Sequence, residues 1–572
     1  MEGQGLMLTL FLFSVLEVDV KVADNNAKHH TDLMSTTQLI MRRGQSFSIH
    51  LKFKEPFNPG VHNLVFTATL GNIPDKIRGT KCVFGIPDFV KRAPNAKAIW
   101  KAELSPDQKG RNVVVNITPP ADAPVGKYSL FLNYLGEDKK LGHFPLIFNP
   151  WCTDDSVYME NEEKIQEYVL NERGVIFKGS GNYISPMFWD YGQFEDDMVE
   201  IALTLLYVSP EHLTNPMKDE AARYNPIYVS RIISRMINSD EDRGVLKGQW
   251  EGPYIGGMSP THWSGSYPIL KRWYNIGCHP VKFGQCWVFA GVMCSVMRAL
   301  GIPCRVITNY ESAHDCDKNL TIDVYHADWG VKEIPSPDSI WTFHVWCEGW
   351  MKRPDLSPEF DGWQVLDPTP QELSGGVHRC GPAPVKAILN GNTDLDYDVP
   401  FVFAEVNADC NDYLVWIMCK TISTDSRRVG QNISTKSVGS NKRWDITSHY
   451  KHTEGQAHRI KYVSSPVVSA AVSMYWIFYT VLQVLGEAFV YRPVFVEMTF
   501  ENPVSETLRD CTITLSGSEL TKEEEEEIRF RVTVSFYPRK AGKKTLMADF
   551  DCSVFKNIKK SIPITVQKYN LF

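Results

Sequence analysis

The sequence predicts a multidomain α+β protein, with a β-sandwich first, a mixed α/β core in the middle and a β-barrel or sandwich last. Three observations predict it. Apolar and polar residues alternate with period two up to about residue 150, and again after about 480. Between those stretches lie segments of helical length, rich in tryptophan. The composition is globular, 43% hydrophobic and 22% charged over 572 residues, which excludes a disordered, collagen-like or polytopic membrane chain. At about 150 residues per domain, three to four domains are expected.

The first domain spans 16–150. Val18, Val20 and Val22 alternate with polar residues, as do Phe47, Ile49, Leu51 and Phe53, and later Val113, Val115 and Ile117. Asn58-Pro59-Gly60, Pro119-Pro120 and Pro124-Val125-Gly126 punctuate the runs. Short alternating strands at this spacing predict an immunoglobulin-like sandwich.

The second domain spans 151–460. Helices are expected at Glu160–Leu170, 195–207 and 225–238. Tryptophans concentrate at 250, 263, 273, 287, 341, 346, 350 and 363. Residues 461–479 form an apolar connection, and the uncharged run from about Tyr462 to Gly486 is long enough to span a bilayer. Pro466, several serines and the strand-like end Thr480–Gly486 favour a linker over a membrane span. The last domain, 480–572, alternates at Val494, Val496, Met498 and Phe500, at Cys511, Ile513 and Leu515, and at Ile528, Phe530, Val532 and Val534. Glu523–Glu527 reads as a solvated loop or edge.

Sixty basic residues against 67 acidic ones give a net charge of −7, so no general basic field would attract nucleic acid. Thirteen cysteines, an odd number without CxxC or CxxH spacing, argue against structural zinc and for a reducing, cytoplasmic setting. Leu6–Leu16 has the length of a signal core but lacks a basic start and a small-residue cleavage site, so secretion is the lesser expectation.

The chemistry concentrates in the middle domain. Cys286 opens the apolar segment that runs to Leu300 and stops at Gly301-Ile302-Pro303. A thiol at the start of a buried helix meets free N–H groups and the positive end of the dipole. A thiol nucleophile needs a base, and the base an orienting group. His344 lies within a strand-like run, Trp341-Thr342-Phe343-His344-Val345-Trp346, and Asp367 ends a second, Gly362–Asp367. Helix cysteine, strand histidine and strand aspartate in that order form a papain-like constellation. Each residue alone is also compatible with a plain core position.

Gly284-Gln285-Cys286-Trp287-Val288-Phe289-Ala290 closely resembles the active-site signature of animal transglutaminases. So do Phe343-His344-Val345-Trp346, Met351–Leu356, Gly362–Glu372, Phe148–Cys152 and Phe403–Asp409. The resemblance covers roughly 17–460 and 480–572. It implies a calcium-dependent protein-glutamine γ-glutamyltransferase (EC 2.3.2.13 class). Its partners would be glutamine- and lysine-containing proteins, polyamines or other primary amines. It further implies Cys286 as nucleophile, His344 as acid and base, Asp367 as its orienting carboxylate and Trp250 as oxyanion donor.

Two loops carry alternating oxygen side chains, Asn238, Asp240 and Asp242, and Asp315, Asp317, Asn319 and Thr321. Taken bare they read as solvated acidic loops; the resemblance makes both calcium sites, with Asp338 added to the second. It maps a third site to Asn407, the Ser426 carbonyl and Glu454. There, Arg459 stands where the family usually has a second glutamate, which should weaken or abolish calcium binding. The family usually carries two C-terminal barrels. The short stretch between Glu454 and residue 480 predicts that the first is missing, and with it guanine-nucleotide binding. Arg379-Cys380 replaces a vicinal cysteine pair, so a disulfide switch of that kind is not expected. Two further readings remain: a catalytically impaired scaffold of the same fold, and a cysteine-dependent deamidase or protease.

Overall fold

The N-terminal strands face each other as two sheets. One has four strands, in the order Val15–Asp19, Phe47–Phe57, Gly110–Thr118 and Lys101–Leu104. The other has five, in the order Met41–Arg42, Glu137–Ile147, Gly126–Tyr134, Leu64–Leu70 and Lys81–Ile86. Alternate residues Phe47, Ile49, Leu51 and Phe53 are fully buried and pack with Phe66, Phe84, Trp100 and Val115. The computed structural model describes residues 15–452, apart from 60, 93–94, 107–109, 135–136, 328–334 and 416–418. Beyond them it describes strands and a few connecting residues between 481 and 567. The Leu6–Leu16 run therefore lies almost wholly outside the described residues.

The expected strand through Val22 ends early. Strand Val15–Asp19 gives way at Lys21, whose φ of 47° is left-handed, to helix Val22–Lys28. Two buried asparagines hold this helix. Asn25 donates to the Val20 and Ser48 carbonyls, and Asn26 to those of Ser35 and Gln38. These long-range bonds override the local alternation.

Sandwich and core meet at a buried joint. Arg43 makes a two-pronged ion pair with Asp155, both contacts at 2.7 Å, and donates to the Ala123 and Tyr224 carbonyls. Its neighbour Arg42 donates to the carbonyls of His29 and Phe148. Both guanidinium groups are shut off from solvent.

In the middle domain a six-stranded antiparallel sheet runs in the order Cys380–Pro384, Gly362–Asp367, Ser339–Met351, Cys304–His314, Gln431–Lys436 and Arg443–Asp445. Helix Cys286–Ala299 is buried along its whole length. It packs with Val345, Cys347 and Leu366, alternate residues of neighbouring strands. The helix ends as expected, because Gly301 takes φ +86° and a Cβ there would sit 2.4 Å from the Phe148 carbonyl oxygen. Helices Met198–Tyr207 and Pro226–Ile237 lie within the expected segments. The Glu160–Leu170 helix is split, α over Glu162–Ile165 and π over Gln166–Leu170. Every cysteine whose side chain is described is a free thiol.

Among its described residues, the C-terminal unit, Glu454–Phe572, contains two sheets. Val481–Leu485, Val494–Thr499 and Arg531–Phe536 form one. The other runs Ala488–Phe489, Ile558–Gln567, Gly542–Asp551, Thr512–Ser516 and Glu524–Glu527. Glu524–Glu527 is thus an edge strand of the second sheet. The apolar connection 461–479 lies outside the described residues. Among the described residues no helix is long and apolar enough to cross a membrane.

Candidate active site

Cys286 occupies the first turn of its helix, behind Gln285, whose extended backbone (φ −133°, ψ 176°) leads into it. The first N–H groups of a helix have no intrahelical acceptor, so the sulfur sits beside free donors. The Gln285 amide donates to the carbonyls of Gln249 at 3.1 Å and Trp250 at 3.0 Å. The Gln249 N–H in turn donates to the Gly284 carbonyl at 3.1 Å. The segment carrying Trp250 is therefore tied directly to the start of the Cys286 helix.

The indole of Trp250 stacks on Phe289 with centroids 6.4 Å apart and meets Trp341 edge-on, also at 6.4 Å. Trp341 meets the His344 ring edge-on at 5.1 Å. Trp250 is 42% exposed, so it forms the outer end of an aromatic wall that leads down to the buried histidine. Gly248 makes room for it, since a Cβ there would lie 2.5 Å from the indole.

His344 Nε2 lies 2.6 Å from Asp367 Oδ2, and both residues are fully buried. The Thr369 N–H donates to Asp367 Oδ1 at 2.8 Å, fixing the carboxylate plane. Burial disfavours the charged imidazole, but Asp367 and then Cys286 outweigh it and hold His344 well above the ordinary histidine range. Nδ1, the nitrogen left over for Cys286, is buried without a hydrogen bond. Catalytic contacts of this kind often tighten only around substrate. Lys178 lies over the Trp287 ring at 4.3 Å; burial pulls its pKa down, while nearby Cys286 pushes it up.

Two residues beyond the triad complete the cluster, and reading the sequence assigned neither a role. The Gln371 amide nitrogen lies 3.0 Å from both His344 Nε2 and Asp367 Oδ2, and 3.2 Å from Glu405 Oε1. Glu405 Oε1 lies 3.8 Å from His344 Nε2, and its second oxygen has no partner. Burial pushes the Glu405 carboxyl up to about 8, against the pull of His344. The only signal in the sequence was that both residues fall within motifs shared with the family.

The candidate metal ligands behave differently from loop to loop. In the first, Asp242 Oδ2 is taken by Arg235 at 2.9 Å, and Oδ1 accepts the Gly244 N–H at 2.8 Å. Asn238 donates to the His378 carbonyl and accepts the Asp240 N–H. The oxygen set that the resemblance implies is thus partly occupied by an arginine reaching down from helix Pro226–Ile237. In the second, Asp315, Asp317 and Asp338 carboxylate oxygens lie within 4.8 Å of one another. Burial, Asp315 and Asp338 together push Asp317 up to about 7. Burial raises Asp315 as well, so two acids resist ionising beside a third carboxylate oxygen from Asp338, a donor set a hard dication would relieve. Asn319 closes the loop on Asp317 and Thr321. In the third, Asn407 donates to the Tyr450 carbonyl and accepts the His452 N–H, and Ser426 is exposed on a bend. Glu454 and Arg459 lie outside the described residues.

Three family models match this chain: "Transglutaminase family" over residues 16–134, "Transglutaminase-like superfamily" over 277–368, and "Transglutaminase family, C-terminal ig like domain" over 479–568. Protein-glutamine gamma-glutamyltransferase 2 of Gallus gallus is 48% identical over 452 residues, 77% of this chain and 64% of that protein. Protein-glutamine gamma-glutamyltransferase 5 of Mus musculus is 47% identical over 445 residues, 76% of this chain and 61% of its own length. The chain thus matches somewhat less than two thirds of each relative. The crystal structure of red sea bream transglutaminase matches with a TM-score of 0.69 at 34% identity, covering 97% of this chain and 100% of that one.

Proposed function

Because the chain belongs to the transglutaminase family, we propose that it transfers the acyl group of a protein-bound glutamine to a lysine or another primary amine through a cysteine thioester. One observation carries the reading: a cysteine at the N-terminus of a buried helix beside a fully buried His344–Asp367 pair, within the span of the family core match.

The Cys286 sulfur attacks the side-chain carboxamide carbon. The indole N–H of Trp250 and the backbone N–H of Cys286 receive the developing oxyanion. His344, kept cationic by Asp367, gives its proton to the departing nitrogen; the C–N bond breaks, ammonia leaves and the thioester remains. The incoming amine loses its proton to His344 as it attacks the same carbon. The C–S bond breaks, and isopeptide and free thiol result. Water in place of the amine yields glutamate, and the aromatic wall serves to exclude it. Gln371 and Glu405 hold His344 and Asp367 in register. Asp315, Asp317 and Asp338, with Asn319 and Thr321, would hold calcium, which supplies charge compensation that orders this loop. The many free thiols fit a cytoplasmic setting.

The test is incorporation of a fluorescent primary amine into a glutamine-bearing protein, with and without calcium, beside Cys286→Ala. Calcium-dependent labelling that vanishes in the variant is expected. Folded wild-type protein that never labels would defeat the reading. Hydrolysis without amine transfer would point to a deamidase or protease.

A further inference from the structure

Next to the acidic loop lies a second group of ligand atoms of a different chemical kind. His314 ends strand Cys304–His314, Cys316 follows two residues later, and Glu372 belongs to the loop after Asp367. One donor atom from each lies within 4.8 Å of the other two. His314 Nε2 is 3.2 Å from Glu372 Oε1. Cys316 is an exposed free thiol. The His314 ring is held edge-on by Trp341 at 6.2 Å and by Phe401 at 6.0 Å, so its orientation is set before any ligand arrives. Lys318 Nζ approaches the other carboxylate oxygen at 3.9 Å, but its side chain is 65% exposed and free to swing away.

We propose that His314, Cys316 and Glu372 form a binding site for a zinc-class divalent cation, with water at the fourth position. A nitrogen, a sulfur and a carboxylate oxygen are the donors zinc takes, and bond lengths of about 2.0–2.3 Å put tetrahedral donors roughly 3.3–3.8 Å apart. The exposed Cys316 needs only a small swing to meet that spacing. Calcium, which takes oxygen, has no use for the imidazole or the thiol. The neighbouring Asp315, Asp317 and Asp338 add a negative field that draws a cation without supplying its ligands. On binding, the thiol proton goes to solvent and the sulfur coordinates as thiolate.

The site has a mechanical link to the triad. Glu372 is followed back along the chain by Gln371, which bonds Asp367 and lies against His344. A cation pinning Glu372 to His314 therefore immobilises the loop that carries Gln371. The inference stands independently of the acyl-transfer reading.

Cobalt(II) tests it, because thiolate coordination gives a near-ultraviolet charge-transfer band and tetrahedral geometry gives strong visible bands. The full chain carrying Cys286→Ala is titrated with Co(II), with and without the further change Cys316→Ser. Circular dichroism checks that both fold. Bands in the first protein that vanish in the second, are displaced by zinc and survive millimolar calcium are expected. Zinc affinity, read by chelator competition, should fall more than about a hundredfold in Cys316→Ser and in His314→Ala, beyond what loss of an outer partner costs. No bands in the folded protein, or bands that persist in Cys316→Ser, would overturn the site.

Discussion

Replacing Asp367 by asparagine changes one atom and, on this geometry, inverts the histidine. Oδ1 accepts the Thr369 N–H at 2.8 Å, so an asparagine keeps its oxygen there. Its amide NH2 must then occupy the Oδ2 position, 2.6 Å from His344 Nε2. A donor at that place makes Nε2 an acceptor and moves the ring proton to Nδ1, the nitrogen that should take a proton from Cys286. The same change removes the negative charge that holds His344 above its ordinary range. Loss of tautomer and charge together in a Ser-His-Asp triad costs about 10⁴-fold in rate, roughly 5 kcal/mol at 1.36 kcal/mol per decade. The substitution is isosteric, so the fold should keep its Tm. Single-turnover ammonia release measures the step, and alkylation of Cys286 by iodoacetamide across pH measures the thiol's activation separately. Both should fall steeply in Asp367→Asn. Rates within about tenfold of wild type, at unchanged Tm, would refute the reasoning that Asp367 fixes the tautomer.

Glu405 carries a pH dependence whose direction follows from burial. Its folded pKa, about 8, lies above the ordinary value of 4.5, so its stabilising contribution is complete below about pH 4.5 and is lost as pH rises through about 8. Glu405→Gln should remove that loss, gaining up to a few kcal/mol on wild type across this window, read as diverging Tm curves; parallel curves would rule it out. Trp250→Phe keeps the aromatic wall but removes the donor, so kcat should fall about 10²–10³-fold with little change in KM. Trp250→Tyr, which restores an O–H, should recover part of the loss, and equal losses in both would assign Trp250 to packing alone.

Much of the site was legible because its signals are local. The apolar run from Cys286 to Leu300 with its glycine–proline stop marks a buried helix, and alternation around His344 and before Asp367 marks two strands. What was not legible depends on side chains meeting across long stretches of chain. Arg235 reaches Asp242 from the preceding helix, and spacing within the loop carries no trace of it. Gln285 tethers Trp250 from 35 residues away, and Glu405 enters the triad from helix Val399–Asn407. Val22 fits the strand pattern by periodicity, yet buried asparagine hydrogen bonds make it the start of a helix.

The joint at Arg42 and Arg43 bears on how this chain can be divided. A boundary drawn by domain at about residue 150 would separate Arg43 from Asp155, leaving a buried carboxylate with its counter-ion gone, a defect that costs about 3–5 kcal/mol in comparable ion pairs. The same cut would take Phe148, whose N–H donates to the Leu300 carbonyl at 3.0 Å and whose own carbonyl packs on Gly301, from the end of the Cys286 helix. The sandwich is therefore an internal brace for the far end of that helix, and a modular swap or trimmed catalytic fragment would inherit a weakened nucleophile helix.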